Sequence, residues 1–339
     1  MSLALFVQQD DAPHAQPGHP ERPARLEAVR AALDADPVLA ALSRLDADPA
    51  SREALLRVHT PDHLARLDAL AEVGGGQVDP DTYVTPDSVR IARESAGGML
   101  AVVDAVLDGD ATRGLSIARP PGHHATPDRA MGFCLFSTVA VAARHAQARG
   151  AERVLIVDCD VHHGNGTQDA FYDDPSVLFV SSQQAGIFPG SGGFGETGQG
   201  PGEGYTVNLP LPAGTGDELA DLYRALLPPL AERFRPDLVL LSFGADAHRL
   251  DPLGGLLLSV TGLVEIAGVV QSVAEAHGVG LVAALEGGYH AEALAASVAG
   301  VLRRFLDPEA ETADPFGPTS RPPVALSELA EVVRQRHEL

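Results

Sequence analysis

Short apolar runs rich in β-branched residues alternate along this chain with longer stretches whose apolar positions recur about every 3.6 residues, the pattern of a sheet flanked by helices. The apolar runs fall at Leu3–Val7, 114–118, 153–158, 177–180, 205–209, 238–242 and Gly280–Leu285. Helical spacing covers 21–33, 61–70, 86–107, 137–149, 217–234, 261–276 and 291–305. Regular alternation of this kind predicts an α/β fold, with one central parallel sheet sandwiched between helices. Its short loops at the carboxyl edge of the sheet should carry the function. Two Gly-rich stretches, "EVGGGQVDPDTYVTPDS" and "GIFPGSGGFGETGQGPGEG", are too long for plain connections and are expected to be loops shaped around a site. Neither fits a phosphate-binding loop, because no Lys follows the glycines and no G-x-G-x-x-G opens a helix after a strand. From 307 to 339 the chain turns Pro-rich and then helical, an extension expected to pack on the 1–306 domain.

Four runs pass directly into unusual polar residues: "GLSIARPPGHHA", "VLIVDCDVHHGNG", "LVLLSFGADAH" and "LVAALEGGYH". Any one of them alone reads as a polar strand end before a turn. In a parallel sheet all four ends can meet on one side, and together they point to a site. Side chains alternate along an extended strand, so Asp158, Asp160 and His162 would share a face. Asp160 and His162 could then grip one ion, with Asp246 arriving from a neighbouring strand. Two carboxylates and one imidazole, leaving a position for water, form the donor set of a catalytic Zn²⁺ or similar divalent ion. The rigid "RPPG" turn aims His123 and His124 together, and a neutral imidazole there could take a proton from a metal-activated water. Asp158 is expected to stabilise a charged His123, whereas the neutral Asn165 leaves His124 free to shuttle protons. Tyr289, presented by Gly287 and Gly288, could donate to a developing oxyanion; read alone, it is a packing residue. His163, beside the ligand set, reads as structural.

Composition narrows the partners. Over 339 residues the formal charge is −22, a poor match for nucleic acid or an anionic membrane and a favourable one for cationic ligands. All 24 basic residues are arginine. Cys134 and Cys159 lie in apolar surroundings and suggest neither a disulfide framework nor a thiolate zinc site, so a reducing cytoplasm is the expected setting. "MSLALFVQQDD" has no basic n-region, and no stretch reaches about 18 uninterrupted apolar residues, so neither a signal peptide nor a membrane span is predicted.

The chain resembles the histone deacetylase superfamily of zinc amidohydrolases, in the class II-like branch that includes bacterial histone deacetylase-like amidohydrolases. The likeness spans residues 12 to 306 and rests on "GHPERPARL", "RPPGHHA", "MGFCLF", "DCDVHHGNGTQDAF", "FPGSG", "GADAHRLDPLGG" and "LEGGYH", all in family order. It implies the arginase/deacetylase fold and Zn²⁺ on Asp160, His162 and Asp246, with Fe²⁺ as the alternative metal. It makes His124 the general base and then acid, His123 its electrostatic partner, and Tyr289 the oxyanion donor. Phe133 and Phe188 match the aromatic walls of the family's substrate tunnel, with Gly132 between them and the floor. The family's K⁺ sites correspond to Asp158, Asp160, His162, Ser181 and Ser182, and to Phe171, Asp174, Val177 and Tyr205.

Asn165 matches class II members, where class I carries Asp. Leu253 stands where a polyamine-specific relative has an acidic gatekeeper, which favours an acyl-lysine peptide or protein over an acetylpolyamine. The implied activity is hydrolysis of N-acetyl- or N-acyl-lysine amides. Three rivals accompany it: a hydrolase of acetylpolyamines or other small acylated amines, a non-catalytic acyl-lysine binding module, and an arginase-like ureohydrolase. The second would be marked by loss of His124, Tyr289 or a ligand, and the third by a two-metal, Asp-rich pattern.

Overall fold

A computed structural model describes residues 2–317 and 322–339. Seven strands form one sheet: β1 (Leu3–Val7), β4 (Arg113–Ile117), β5 (Val154–Asp158), β6 (Val177–Gln184), β7 (Thr206–Leu211), β8 (Leu238–Phe243) and β9 (Gly280–Leu285). A separate antiparallel ribbon pairs β2 (Gly76–Asp79) with β3 (Thr82–Val84). The main sheet has the order β1-β4-β9-β8-β5-β6-β7 and every pairing in it is parallel.

Both faces of the sheet are covered, as a parallel sheet requires, and so its strands are mostly apolar. Alternation divides them: Leu155 and Val157 join the core that packs under the helices Ala24–Ala35, Leu219–Phe234, Val260–His277 and Ala291–Leu306. Val154 and Ile156 face the opposite core, built with Pro61–Glu72, Ser88–Leu107 and Thr138–Ala148. The helix Ser327–Arg336 buries Ala330 and Val333 in the first core. No helix among the described residues is long and apolar enough to cross a membrane.

Strand order explains where a site can form. From β5 the chain steps outward to β6 and β7, then returns to β8 on the other side of β5 and steps away again to β9. The switch point therefore lies between β5 and β8, where neighbouring connections leave a crevice at the carboxyl edge. The four polar strand ends belong to β4, β9, β8 and β5, four adjacent strands in the middle of the sheet.

Two elements depart from the apolar pattern. The Gly-rich stretch after residue 72 forms the ribbon instead of an open loop, because Thr82, Tyr83 and Val84 are buried against the body of the protein. Strand β6 continues past residue 180 to Gln184, its polar Ser181, Ser182 and Gln183 pairing with Asn208, Leu209 and Pro210 of β7. Hydropathy periodicity does not register a strand made of buried polar residues.

Candidate active site

Asp160, His162 and Asp246 are all buried, and each offers one donor atom to a set lying within 4.8 Å of one another. His162 Nδ1 is 3.1 Å from Asp160 Oδ1 and 3.3 Å from Asp246 Oδ2. Backbone amides orient the carboxylates: Gly287 N–H donates to Asp160 Oδ2 (2.8 Å) and Val161 N–H to Asp246 Oδ1 (3.0 Å). Asp246 Oδ2 is left buried without a hydrogen-bond partner among the described residues. Two glycines admit this crowding, since a Cβ on Gly287 would lie 2.0 Å from Asp246 Oδ2 and one on Gly244 2.2 Å from Asp160 Oδ2.

Protonation of the cluster supports the same reading. Burial and the neighbouring Asp160 push the Asp246 carboxyl up to about 7. His162 is desolvated too, yet the two carboxylates outweigh that and raise it to about 10. Two buried carboxylates converging on an imidazole concentrate negative charge that a divalent cation would neutralise, so the donor set fits such an ion.

The tandem histidines stand beside it, their rings 3.9 Å apart. His123 Nδ1 lies 3.0 Å from Asp158 Oδ2. Burial opposes charge on His123, but Asp160 and Asp158 prevail and hold it well above the usual imidazole value. His124 Nδ1 lies 2.8 Å from Asn165 Oδ1, which keeps the Nδ1 proton and leaves Nε2 as the lone-pair nitrogen. Burial, then His123 and His162, lower the His124 pKa well below 6.5. Asn165→Asp would place a carboxylate in that contact and favour the imidazolium by about 1–3 units. Since the neutral form is the base, the acid limb of kcat/KM should move to higher pH; a pH profile matching the parent's would exclude this pairing.

His124 and His162 border a cavity of ≈260 Å³ that is also lined by Gly132, Phe133, Phe188, Leu253 and Tyr289, bringing the predicted tunnel residues and the phenol together. Phe188 packs edge-on to His124 and Phe133 edge-on to Tyr289, at 5.0 and 5.6 Å between centroids. Gly132 has φ 55°, and a Cβ there would sit 2.4 Å from His124 Cδ2. Phe133 adopts φ 69°, a conformation unfavourable to its bulky side chain, and its N–H is held by Thr82 Oγ1 at 2.9 Å. Burial raises the Tyr289 phenol well above 10 against the pull of Arg25, so it stays a donor.

The remaining candidates lie behind or away from the cavity. Ser181 pairs in register with Asp158, and Tyr223 OH is 3.2 Å from Asp158 O and 2.8 Å from Ser182 Oγ. Phe171, Asp174, Val177 and Tyr205 gather at the amino ends of β6 and β7, where Arg144 and Ser176 occupy the Asp174 carboxylate. Tyr205 also borders a larger cavity of ≈510 Å³ that contains none of the proposed divalent-metal or acid–base residues. His163 bonds Ser191 and Gln168 and stands outside the donor set.

Four residues of the site escape a reading of the sequence. Asp81, at the tip of the β2–β3 ribbon, and Ile187 line the cavity. The fully buried Glu286 accepts N–H bonds from Gly122 (2.7 Å) and His123 (3.1 Å), pinning the tandem-His turn. Arg25, also buried, donates to the carbonyls of Glu286 (2.5 Å) and Gly288 (2.7 Å) and is tied through Glu21 to Arg119 of "RPPG". The motifs "GHPERPARL" and "LEGGYH" contain two of these residues, but nothing local says that they meet.

The family described as "Histone deacetylase domain" matches residues 19–305. A protein named histone deacetylase-like amidohydrolase from Pseudomonas aeruginosa is 43% identical over 281 residues, 82% of this chain and 74% of its own length. A probable deacetylase of Methanothermobacter thermautotrophicus is 40% identical, over 90% of this chain and 91% of its own. The crystal structure of the HDA15 HD domain superposes with a TM-score of 0.89 at 33% identity, covering 98% of this chain and 95% of that one. The chain thus belongs to the histone deacetylase family.

Proposed function

We propose that this member of a deacetylase and amidohydrolase family is a zinc-dependent hydrolase of N-acyl-lysine amides, releasing a short carboxylic acid and the free amine. One observation carries the reading: His162 Nδ1 converges with two buried carboxylates, one with an oxygen that has no hydrogen-bond partner among the described residues, at a cavity that His124 and Tyr289 also border.

Asp160, His162 and Asp246 would hold Zn²⁺ or Fe²⁺, which supplies Lewis acidity and lowers the pKa of bound water from about 15.7 towards about 7. His124 Nε2 takes the proton of the attacking water and returns it to the leaving nitrogen as the C–N bond breaks. Asn165 keeps that imidazole in the required tautomer. Tyr289 donates its O–H to the acyl oxygen as negative charge develops there. His123, held cationic by Asp158, adds positive charge beside the same centre. Phe133 and Phe188 enclose the alkyl chain, and Gly132 admits it close to His124. K⁺ at the two predicted sets of positions would brace the end of β5 and the start of β6 and β7. Two free, buried cysteines accord with a reducing cytoplasmic setting.

A second reading, hydrolysis of small acylated amines, is favoured by Asp81 at the cavity, a carboxylate able to meet a cationic amine, and by the net charge of −22. Apolar Leu253 on the same cavity favours the lysine side. Turnover of acetyl-lysine peptides, acetylputrescine and acetylspermidine by one preparation separates the two. The expected result is hydrolysis of the peptides, loss of activity on chelation and recovery with Zn²⁺; activity indifferent to chelation would reject the metal-dependent reading.

A further inference from the structure

The family match stops at residue 305, yet the chain beyond it returns to the active-site loops. Six residues, 312–317, make repeated polar contacts with two other segments. Thr261 Oγ1 donates to Thr312 O (3.2 Å). Arg249 binds Asp314 Oδ2 (2.9 Å) and Gly317 O (2.6 Å), in an ion pair whose side chains are only 14% and 9% exposed. Asp314 also accepts the N–H of Phe316 (2.8 Å) and of Val260 (3.3 Å), so one carboxylate both anchors the segment and shapes the turn that aims the ring.

The Phe316 ring meets His248 and His290, with centroids 5.3 and 5.9 Å away. His248 is two residues past the proposed metal ligand Asp246, and His290 directly follows Tyr289. Buried Asp251 joins the same two loops, accepting N–H bonds from Leu253 (3.0 Å), Tyr289 (2.6 Å) and His290 (3.2 Å). His248 Nε2 is buried with no hydrogen-bond partner among the described residues, so that end of the ring is located by packing alone.

We infer that Phe316, carried by a segment outside the matched domain, is a positioning residue that clamps the Asp246 and Tyr289 loops together from outside. Asp251 ties the loops through their backbones and Phe316 closes them through their side chains. Loss of the ring removes the contact that His248 and His290 share, and Tyr289 then relies on Asp251, Arg25, Phe133 and the Ala245 N–H bond to Gly287 O. The catalytic part of this inference rests on the deacetylase reading; the structural part does not.

The test uses the full chain with Phe316→Ala and Phe316→Tyr, measuring kcat and KM on an acetyl-lysine peptide and amide hydrogen exchange in residues 246–253 and 286–290. A misplacement of about 1 Å costs on the order of 10² in rate, so kcat of Phe316→Ala should fall by about 10- to 100-fold with KM within about twofold of the parent. Exchange at Tyr289 and His290 should accelerate while residues 160–163 stay unchanged, and Phe316→Tyr should restore both measurements. Parental kcat and parental exchange in Phe316→Ala overturn the inference. If that variant loosens throughout, Asp314→Asn, which frees the turn without opening a cavity, should show the same local pattern, and parental behaviour there is equally fatal. A parent chain that hydrolyses no acyl amine, with locally faster exchange in Phe316→Ala, defeats the deacetylase reading and leaves the clamp standing.

Discussion

Tyr289→Phe is expected to fold like the parent and to lose about 10²- to 10³-fold in kcat, with KM little changed, because one preorganised donor to an oxyanion contributes about that much. The ring's environment is retained in Phe: the edge contact with Phe133 at 5.6 Å and the Arg25 guanidinium 5.0 Å from the ring centroid do not involve the hydroxyl. The loop's backbone is held by Asp251 and Arg25, which the substitution does not touch. Only the hydrogen bond to the developing charge is deleted. That bond strengthens in the transition state, so the loss falls on kcat and kcat/KM alike. Steady-state kinetics with circular dichroism on the same sample checks this, and near-parental turnover would remove Tyr289 from its proposed role.

His124→Ala should cost about 10²- to 10⁴-fold, the range of general acid–base catalysis. The variant should also lose the acid limb expected of the parent below pH 6.5. The sign follows from the site: burial, His123 and His162 all disfavour the imidazolium, so His124 remains a neutral base through neutral pH and is lost only on acidification well below its ordinary value. A bound cation in place of the proton on His162 acts in the same direction. His123 is the contrasting case, because Asp160 and Asp158 raise its pKa well above the usual imidazole value. Rate–pH profiles of parent and variant decide the matter; an unchanged acid limb in His124→Ala would assign the titration to another group.

Much of this site is legible in the pattern of the chain. The strand ends that carry Asp160, His162, Asp246, His123, His124 and Tyr289 announce themselves by setting charged or aromatic residues directly after apolar runs, and four such ends in a parallel sheet have one edge to share. The tunnel residues are legible only through family resemblance, because nothing local separates Phe133 or Phe188 from core aromatics. Glu286 and Arg25 sit inside recognisable motifs, yet those motifs assign them no role. Their partners lie 164 and 263 residues away, at Gly122 and Gly288, and local pattern holds no information at that range. Asp81 is hidden for a different reason: the ribbon that presents it has only four and three residues in its strands and gains its order from burying Tyr83 and Val84 elsewhere.

By itself the sequence determined the class of fold, the residue types that meet at its functional edge and the family to which the chain belongs, since each depends on short-range periodicity or on motifs a few residues long. The tertiary structure alone decided that β4, β9, β8 and β5 are neighbours, which places the four ends within reach of one another. It also decided that Asp246 Oδ2 has no hydrogen-bond partner among the described residues and that Phe316 packs against the active-site loops from beyond the matched domain. Those outcomes depend on distances of a few ångströms between segments far apart in the chain, and such distances exist only once the core has packed.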